Sequence, residues 1–142
     1  MILVGDSMYY LKRHINGVML KSEEKEEILQ IGMKQYLNNL CLDYLATFDG
    51  RRKAISRLLR QNNNIPIYIN DEVFVYPTKS LREYDMVFIN YHSVLSYKRI
   101  TSKKTKIIFE NFDELIINIS IKKVIKQHER IKYIIQYIEN NT

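Results

Sequence analysis

The chain has 142 residues, of which 46% are hydrophobic and 27% are charged, with one cysteine and a net charge of +6. These totals predict one folded domain over residues 1–142 and exclude a disordered chain, and a single cysteine excludes an internal disulfide framework or a multi-cysteine zinc site. No apolar run approaches the roughly 20 residues that cross a bilayer, and Gly5 and Asp6 end the run at residues 1–4 too early for a secretory signal, so we expect a cytoplasmic protein.

The first part of the chain predicts a hairpin followed by an ambiguous segment. Two apolar stretches flank Asn16-Gly17, the dipeptide that best supplies the positive φ angles of a tight turn, so residues 9–20 are predicted to form a hairpin. In residues 23–48 the apolar side chains recur at helical spacing and Ser22 could cap a helix, but the tyrosines and leucines also fit a pair of strands. This segment is left open between helix and strands.

The remaining elements are short. A basic helix is predicted at residues 51–61, with Asp49 as its cap or turn residue, and strands are predicted at residues 65–69 and 73–76 up to Pro77. Further strands are expected at residues 87–89 and 94–97, a hairpin at residues 106–109 and 115–120, and an amphipathic helix at residues 122–139. The pattern indicates an α+β fold of mainly short antiparallel strands.

The positive charge is concentrated in the middle of the chain. Residues 51–106 contain twelve Lys or Arg and four Asp or Glu, whereas residues 1–50 contain five and seven, and residues 107–142 contain five and five. A basic segment of this kind is typical of proteins that bind a polyanion, because Lys and Arg neutralise phosphates and release condensed counterions. The alternative is a solvated basic surface without a partner.

Three motifs in this middle part resemble the competence transcription factor (ComK) family. They are a Gly-Arg-Lys-type turn at residues 49–54, with Cys41 nine residues before Gly50; a proline-containing strand at residues 65–69; and Phe74-Val75-Tyr76-Pro77-Thr78-Lys79-Ser80, similar to a Phe-Pro-Thr-x-Ser signature. The resemblance spans about residues 9–135 and would make the later part of residues 23–48 a strand. The chain departs from the family pattern at Ala46-Thr47, where a glycine–serine pair is usual, and lacks the cysteine and tryptophan that usually follow the signature.

Residues 86–135 are also similar to the LytTR domain, an elongated β module that binds DNA. The similarity rests on the segment Asn90-Tyr91-His92-Ser93-Val94 and on Ile119-Ser120-Ile121-Lys122, which ends a hairpin before a helix. Both resemblances imply a transcription regulator that binds double-stranded DNA. The ComK resemblance further implies AT-rich sites, a homo-oligomer acting at paired half-sites, and arginine insertion into a narrow minor groove by Arg51, Arg52 or Arg99.

The candidate DNA-binding residues combine the basic clusters with the positions implied by these resemblances. They are Arg51, Arg52, Lys53, Arg57, Lys79, Arg82, Asn90, His92, Lys98, Arg99, Lys122 and Lys123. His128 lies in the apolar stripe of the last helix and is expected to pack in the core, and Cys41 is expected to be a buried, inert thiol.

Two other functions stay open. The apolar final helix and the short C-terminus would also suit a protein–protein modulator that pairs with a full-length regulator. A metal-dependent nuclease could be assembled from Asp71, Glu72, Asp85, Asp113-Glu114 and His92 only by choosing residues freely, and no catalytic motif is present. We therefore expect no catalytic activity, no cofactor, no metal site and no membrane partner.

Overall fold

The computed structural model describes residues 7–142, and the apolar run at residues 1–4 lies outside this part. The described chain contains nine strands, three helices and one short 3₁₀ turn, which confirms the predicted α+β class. In chain order these are β1 (Met8–His14), β2 (Gly17–Ser22), β3 (Glu26–Leu29), α1 (Met33–Leu42), α2 (Phe48–Leu59), β4 (Ile67–Tyr68), β5 (Phe74–Pro77), β6 (Val87–Asn90), the turn Tyr91–Ser93, β7 (Val94–Thr101), β8 (Lys104–Phe109), β9 (Glu114–Ile117) and α3 (Ile121–Asn140).

The N-terminal hairpin forms as predicted, but its turn lies one residue earlier. β1 pairs with β2 through a turn at Ile15 and Asn16, so that Gly17 is already the first residue of β2. Gly17 has a φ of 138°, and a Cβ there would overlap the carbonyl oxygen of Leu29 in β3. Glycine is therefore needed because a neighbouring strand passes close to its Cα, and not because of a primed turn centred on Asn16-Gly17.

Residues 23–48, left open between helix and strands, contain one of each. The early part is β3, which pairs antiparallel with β2, and Ser22 ends β2 instead of capping a helix. The later part is α1, whose buried residues Met33, Leu37, Leu40 and Cys41 follow the helical period. The helical interpretation is correct for this later part, and the strand implied there by the ComK resemblance is wrong.

The basic helix α2 begins three residues earlier than predicted. Thr47 is its N-cap, and the Thr47 hydroxyl accepts a hydrogen bond of 2.9 Å from the Gly50 N–H, so Asp49 lies within the first turn instead of capping it. The first helical residue, Phe48, donates its N–H to the Asn38 side-chain oxygen of α1 at 2.8 Å. These two contacts fix the direction in which α2 leaves α1.

Six antiparallel strands form the main sheet, in the order β3-β2-β1-β6-β5-β4. Its neighbouring strands β5 and β6 are buried on both faces, which explains their largely apolar sequences. Val75 and Phe88 face a core that α1 covers, whereas Phe74, Tyr76 and Ile89 face a second core on the other side of the sheet. The predicted strand at residues 65–69 is present but is reduced to the two residues of β4.

The second core is closed by a three-stranded sheet, β7-β8-β9, and by α3. Phe109 of β8 stacks on Tyr9 of β1 with ring centroids 4.8 Å apart, which joins the two sheets. His128 of α3 is buried between Tyr76 of the main sheet and Tyr97 of the second sheet, as its place in the apolar stripe predicted. The helix α3 therefore connects both sheets and ends at the side where α2 lies.

Candidate nucleic-acid interface

The cations of α2 lie on different sides of the helix. Lys53 and Arg57 are one turn apart on the face away from the core and are exposed. Arg52 lies on a second side, where its guanidinium donates to the Asn62 side-chain oxygen at 3.4 Å. Arg51 points towards the body of the protein. The predicted basic strip is thus divided between an outward face and a side that faces α3.

Arg51 is held by an aromatic ring. Its guanidinium carbon lies 4.9 Å from the centroid of the Tyr68 ring in β4, and its side chain is only partly exposed. The Tyr68 hydroxyl donates to the Asp71 carboxylate at 2.8 Å, which fixes the ring beneath the guanidinium. Arg51 is consequently positioned for contact at one place, with less freedom than Arg52 or Arg57.

A groove of about 1070 Å³ separates α2 from α3. Its cationic lining comes from both helices. Arg51, Arg57 and the C-cap residue Arg60 belong to α2, and Lys126 and Arg130 belong to α3. Its floor is apolar and its α3 wall carries two half-exposed tyrosines. The groove is also lined by Ala54, Ile55, Leu58, Tyr133, Ile134 and Tyr137.

The α3 side of this groove was missed by the sequence reasoning. Lys126, Arg130, Tyr133 and Tyr137 recur at intervals of four, three and four residues, which places them on one helical face beside the apolar stripe. That spacing is visible in the sequence. It does not reveal that α2, some 70 residues earlier in the chain, supplies the facing wall.

Arg130 holds the groove together and is not available to a ligand. It is 8% exposed, and its guanidinium donates to the carbonyl oxygens of Asn63 and Asn64, each at 3.1 Å, and to the Gln127 side chain at 2.9 Å. Residues 62–64 follow directly on α2. Arg130 therefore ties the end of α2 to α3.

The cations around the Pro77-Thr78 turn and the start of α3 meet at a shallow depression of about 320 Å³, lined by Lys79 and Lys123 among others. The Lys79 ammonium forms an ion pair of 2.7 Å with Asp85, and hydrogen bonds from Lys79 and from the Asn118 amide hold the pKa of Asp85 below its usual value. Lys122 and Lys123 are exposed in the first turn of α3, and Arg82 is exposed in the loop between β5 and β6.

The β7–β8 hairpin carries its cations on two faces. Lys98 pairs in register with Lys106, whereas Arg99 pairs with Thr105, whose side chain is fully buried. Residues paired in register share a face of the sheet, so the side chains of Lys98 and Arg99 leave opposite faces. Lys106 has an ion pair of 3.3 Å with Glu114, while Lys98 and Arg99 are exposed.

Asn90 serves the fold and offers no group to DNA. It is 1% exposed, and its amide nitrogen donates to the Met8 and Glu72 carbonyls while its oxygen accepts from the Phe74 and His92 N–H groups. The structure therefore places the Asn90 side chain inside the protein and not on a surface open to DNA. His92 is partly buried, and this burial lowers the pKa of its imidazole, although Asp71 opposes the shift.

Within residues 7–142 no group of three or more His, Cys, Asp or Glu is arranged to hold a metal ion, and no helix is long and apolar enough to cross a membrane. Cys41 is buried, and burial raises the pKa of its thiol. This agrees with the expected inert thiol, because a thiol that keeps its proton is a poor nucleophile.

The fold and these surfaces define a small basic α+β protein in which two helices line a shared groove. A family model described as ComK protein matches residues 2–142, so the chain belongs to the ComK family. This is a family of competence-type transcription regulators and not of enzymes, and it gives the functional class of this chain. No curated protein and no solved structure matches the chain.

Proposed function

We propose that this chain regulates transcription by binding AT-rich double-stranded DNA directly through its exposed cations. The observation that carries the proposal is that Arg52, Lys53, Arg57, Lys98 and Arg99 have no ion pair with any of the residues 7–142. Elsewhere lysines do find carboxylates, as in the pairs Lys21–Asp113 and Lys34–Asp49, each 3.1 Å long. Cations that form no ion pair are free to attract a polyanion and to neutralise its phosphates.

The start of α3 supports phosphate contact. Lys122 and Lys123 occupy its first turn, where no acidic residue is present and the Ser120 side chain makes no capping hydrogen bond. Cations at this end are disfavoured by the positive end of the helix dipole, by about 0.3–1 kcal/mol each at a surface. A DNA phosphate at this position would remove that penalty and would accept from the uncapped N–H groups.

The preference for AT-rich DNA follows from the family and from the arginines. AT tracts narrow the minor groove and draw arginine side chains into it. Of the three arginines expected to insert, Arg52 and Arg99 are exposed, whereas Arg51 is held over Tyr68. We therefore assign groove insertion to Arg52 and Arg99 and place Arg51 at the edge of the interface.

The first test measures the salt dependence of binding to one AT-rich duplex. The double variant Lys53→Gln/Arg57→Gln removes two exposed cations from α2. We expect binding to weaken for all duplexes, and the slope of log K against log salt to fall by about 2, since each lost phosphate contact removes about 0.9. The matched control Lys12→Gln/Lys132→Gln removes the same charge from exposed positions outside the proposed interface.

Equal slopes for the two double variants would refute the assigned interface, because only overall charge would then matter. A parent chain that retards no duplex at any salt concentration would refute direct DNA binding. That result would leave the protein–protein modulator as the remaining function.

A second test separates minor-groove from major-groove recognition. Inosine in place of guanine removes the amino group that distinguishes G·C from A·T in the minor groove. Minor-groove insertion by Arg52 and Arg99 predicts that an inosine-substituted GC-rich duplex binds about as well as the AT-rich duplex.

A third test counts the chains bound to duplexes that carry one or two half-sites. Sedimentation of the complexes gives this number, and we expect two chains on the paired site.

A further inference from the structure

The groove between α2 and α3 has an apolar floor that duplex DNA would not contact. Ala54 and Leu58 from α2 face Ile134 from α3 across it, and the rings of Tyr133 and Tyr137 are 52% and 47% exposed. A phosphate backbone contacts cations at the rim but offers no apolar group to fill the space between the helices. The apolar floor of the groove is therefore not explained by the proposed DNA interface and suits a different ligand.

The rim of the groove is strongly cationic. Five basic side chains and a single carboxylate, that of Glu129, line it. Arg130 is committed to the loop carbonyls and Arg51 to the Tyr68 ring, which leaves Arg57, Arg60 and Lys126. Within the described part of the chain, none of these three forms an ion pair. A complementary ligand would place carboxylates against them and apolar groups on the floor between them.

We propose that this groove docks an acidic amphipathic helix of a partner protein. The walls are two helices, and a third helix can pack its ridges between them. On α3 the lining runs from Lys126 to Ile138, a length of about 18 Å or three helical turns, which suits a helix of similar length. Leucines at helical spacing would enter between Ala54 and Tyr133, with glutamates flanking them towards Arg57 and Lys126.

Docking and DNA binding would exclude each other, and this part of the inference rests on the proposed function. Arg57 belongs both to the groove and to the proposed DNA interface. An acidic helix that occupies Arg57 removes a phosphate contact and places negative charge beside the duplex. The partner helix would consequently act as a competitive inhibitor of DNA binding.

The direct test uses a fluorescent synthetic peptide of about 18 residues, with leucine on one helical face and glutamate on the other. Its anisotropy is measured with the full chain, beside a scrambled peptide of the same composition that lacks the helical period. We expect the periodic peptide to bind at least about tenfold more tightly than the scrambled one, because only the periodic peptide presents a continuous apolar face. Equal binding of the two peptides would overturn the proposal by reducing the interaction to non-specific charge attraction.

Variants locate the peptide in the groove. Tyr133→Ser/Tyr137→Ser removes the aromatic wall without changing charge, and we expect peptide affinity to fall about tenfold or more. The matched control Tyr44→Ser/Tyr84→Ser removes two exposed tyrosines outside the groove and should leave peptide affinity unchanged. Both variants are first checked for parental urea midpoints. Equal losses in the two double variants, or no loss in the groove variant, would overturn the assignment.

Two further outcomes separate this proposal from the proposed function. If the parent binds AT-rich duplex but not the periodic peptide, the docking site is refuted and DNA binding stands. If it binds the peptide but no duplex, DNA binding is refuted and the docking site stands. Concentration-dependent self-association that the Tyr133→Ser/Tyr137→Ser change abolishes would identify the groove as a contact between copies of this chain and would overturn the partner-helix proposal.

Discussion

The buried imidazole of His128 predicts a specific loss of stability in acid. Tyr76 of β5, Tyr91 of the 3₁₀ turn and Tyr97 of β7 surround its ring, and its Nε2 lies 2.9 Å from the Tyr76 hydroxyl. Burial raises the pKa of Tyr76, so this hydroxyl keeps its proton and shares a hydrogen bond with the imidazole. Burial, with a smaller contribution from Lys132, lowers the pKa of His128 from 6.5 to about 4.

The direction and the magnitude of this loss of stability follow from proton linkage. Above pH 6.5 the imidazole is neutral in both the folded and the unfolded chain, so His128 adds no pH dependence. Between pH 6.5 and about 4 only the unfolded chain takes up the proton, and the folded state loses stability as the pH falls. At about 1.4 kcal/mol per pH unit, the loss approaches about 3 kcal/mol at pH 4, and it levels off below that pH.

Urea unfolding followed by circular dichroism at several pH values measures this slope. We expect His128→Gln to flatten it, since glutamine keeps a hydrogen-bonding group near Tyr76 but does not titrate. The pKa of His92 is also lowered by burial, so His92→Gln is the necessary companion variant. Asp85 and Asp113 have lowered pKa values, so their contribution is lost as the pH falls through about 3.8, at the acid end of this window, and the slope due to His128 is read above about pH 5. A parental slope in His128→Gln would refute the reasoning.

Three further changes test the contacts that shape the fold. Arg130→Ala should lower the free energy of unfolding by about 2–3 kcal/mol, since it removes the two charge-assisted hydrogen bonds that tie the carbonyls of Asn63 and Asn64 to α3, whereas exposed Arg57→Ala should stay within about 0.5 kcal/mol. Thr47→Ala should cost about 1 kcal/mol by urea unfolding and Thr47→Ser much less, because serine keeps the N-cap oxygen. Gly17→Ala should lower the free energy of unfolding by more than about 1 kcal/mol, measured by urea unfolding. Gly32→Ala should not, because an added Cβ there has nothing within 4 Å.

Helices and strands whose buried residues recur at the period of that helix or strand were predictable from sequence. The last helix was predicted at residues 122–139 and observed at Ile121–Asn140, and the hairpin through residues 111–113 was also found. Residues 26–29 were harder, because Leu29 continues the helical series of Met33 and Leu37. Its strand conformation depends on pairing with Val18 across a turn, and local periodicity carries no signal for that pairing.

Asn90 shows what the sequence could not reveal about a candidate site residue. An asparagine after an apolar strand is typical of an exposed loop, and the LytTR resemblance pointed the same way. In the structure its side chain bridges β1, the Glu72 carbonyl and the N–H that starts β5, where the chain leaves the main sheet for the second sheet. Five hydrogen bonds, to groups up to 82 residues away in the chain, make it a buried junction, and only tertiary contacts could show this.

The helix α3 contributes both to the core and to the α2–α3 groove, so docking in the groove depends on buried contacts of α3. One face of the helix places His128 between the two sheets, while Arg130 and Gln127 bind the carbonyls of residues 63 and 64 that follow α2. The separation of α2 from α3, and with it the groove, is therefore set by side chains that touch no ligand. Protonation of His128 in acid would loosen α3 from both sheets, and the same change would move Lys126 and Tyr133 relative to Arg57. Acid should consequently weaken peptide docking before it unfolds the chain, and comparison with His128→Gln separates this effect from the protonation of the peptide's own glutamates.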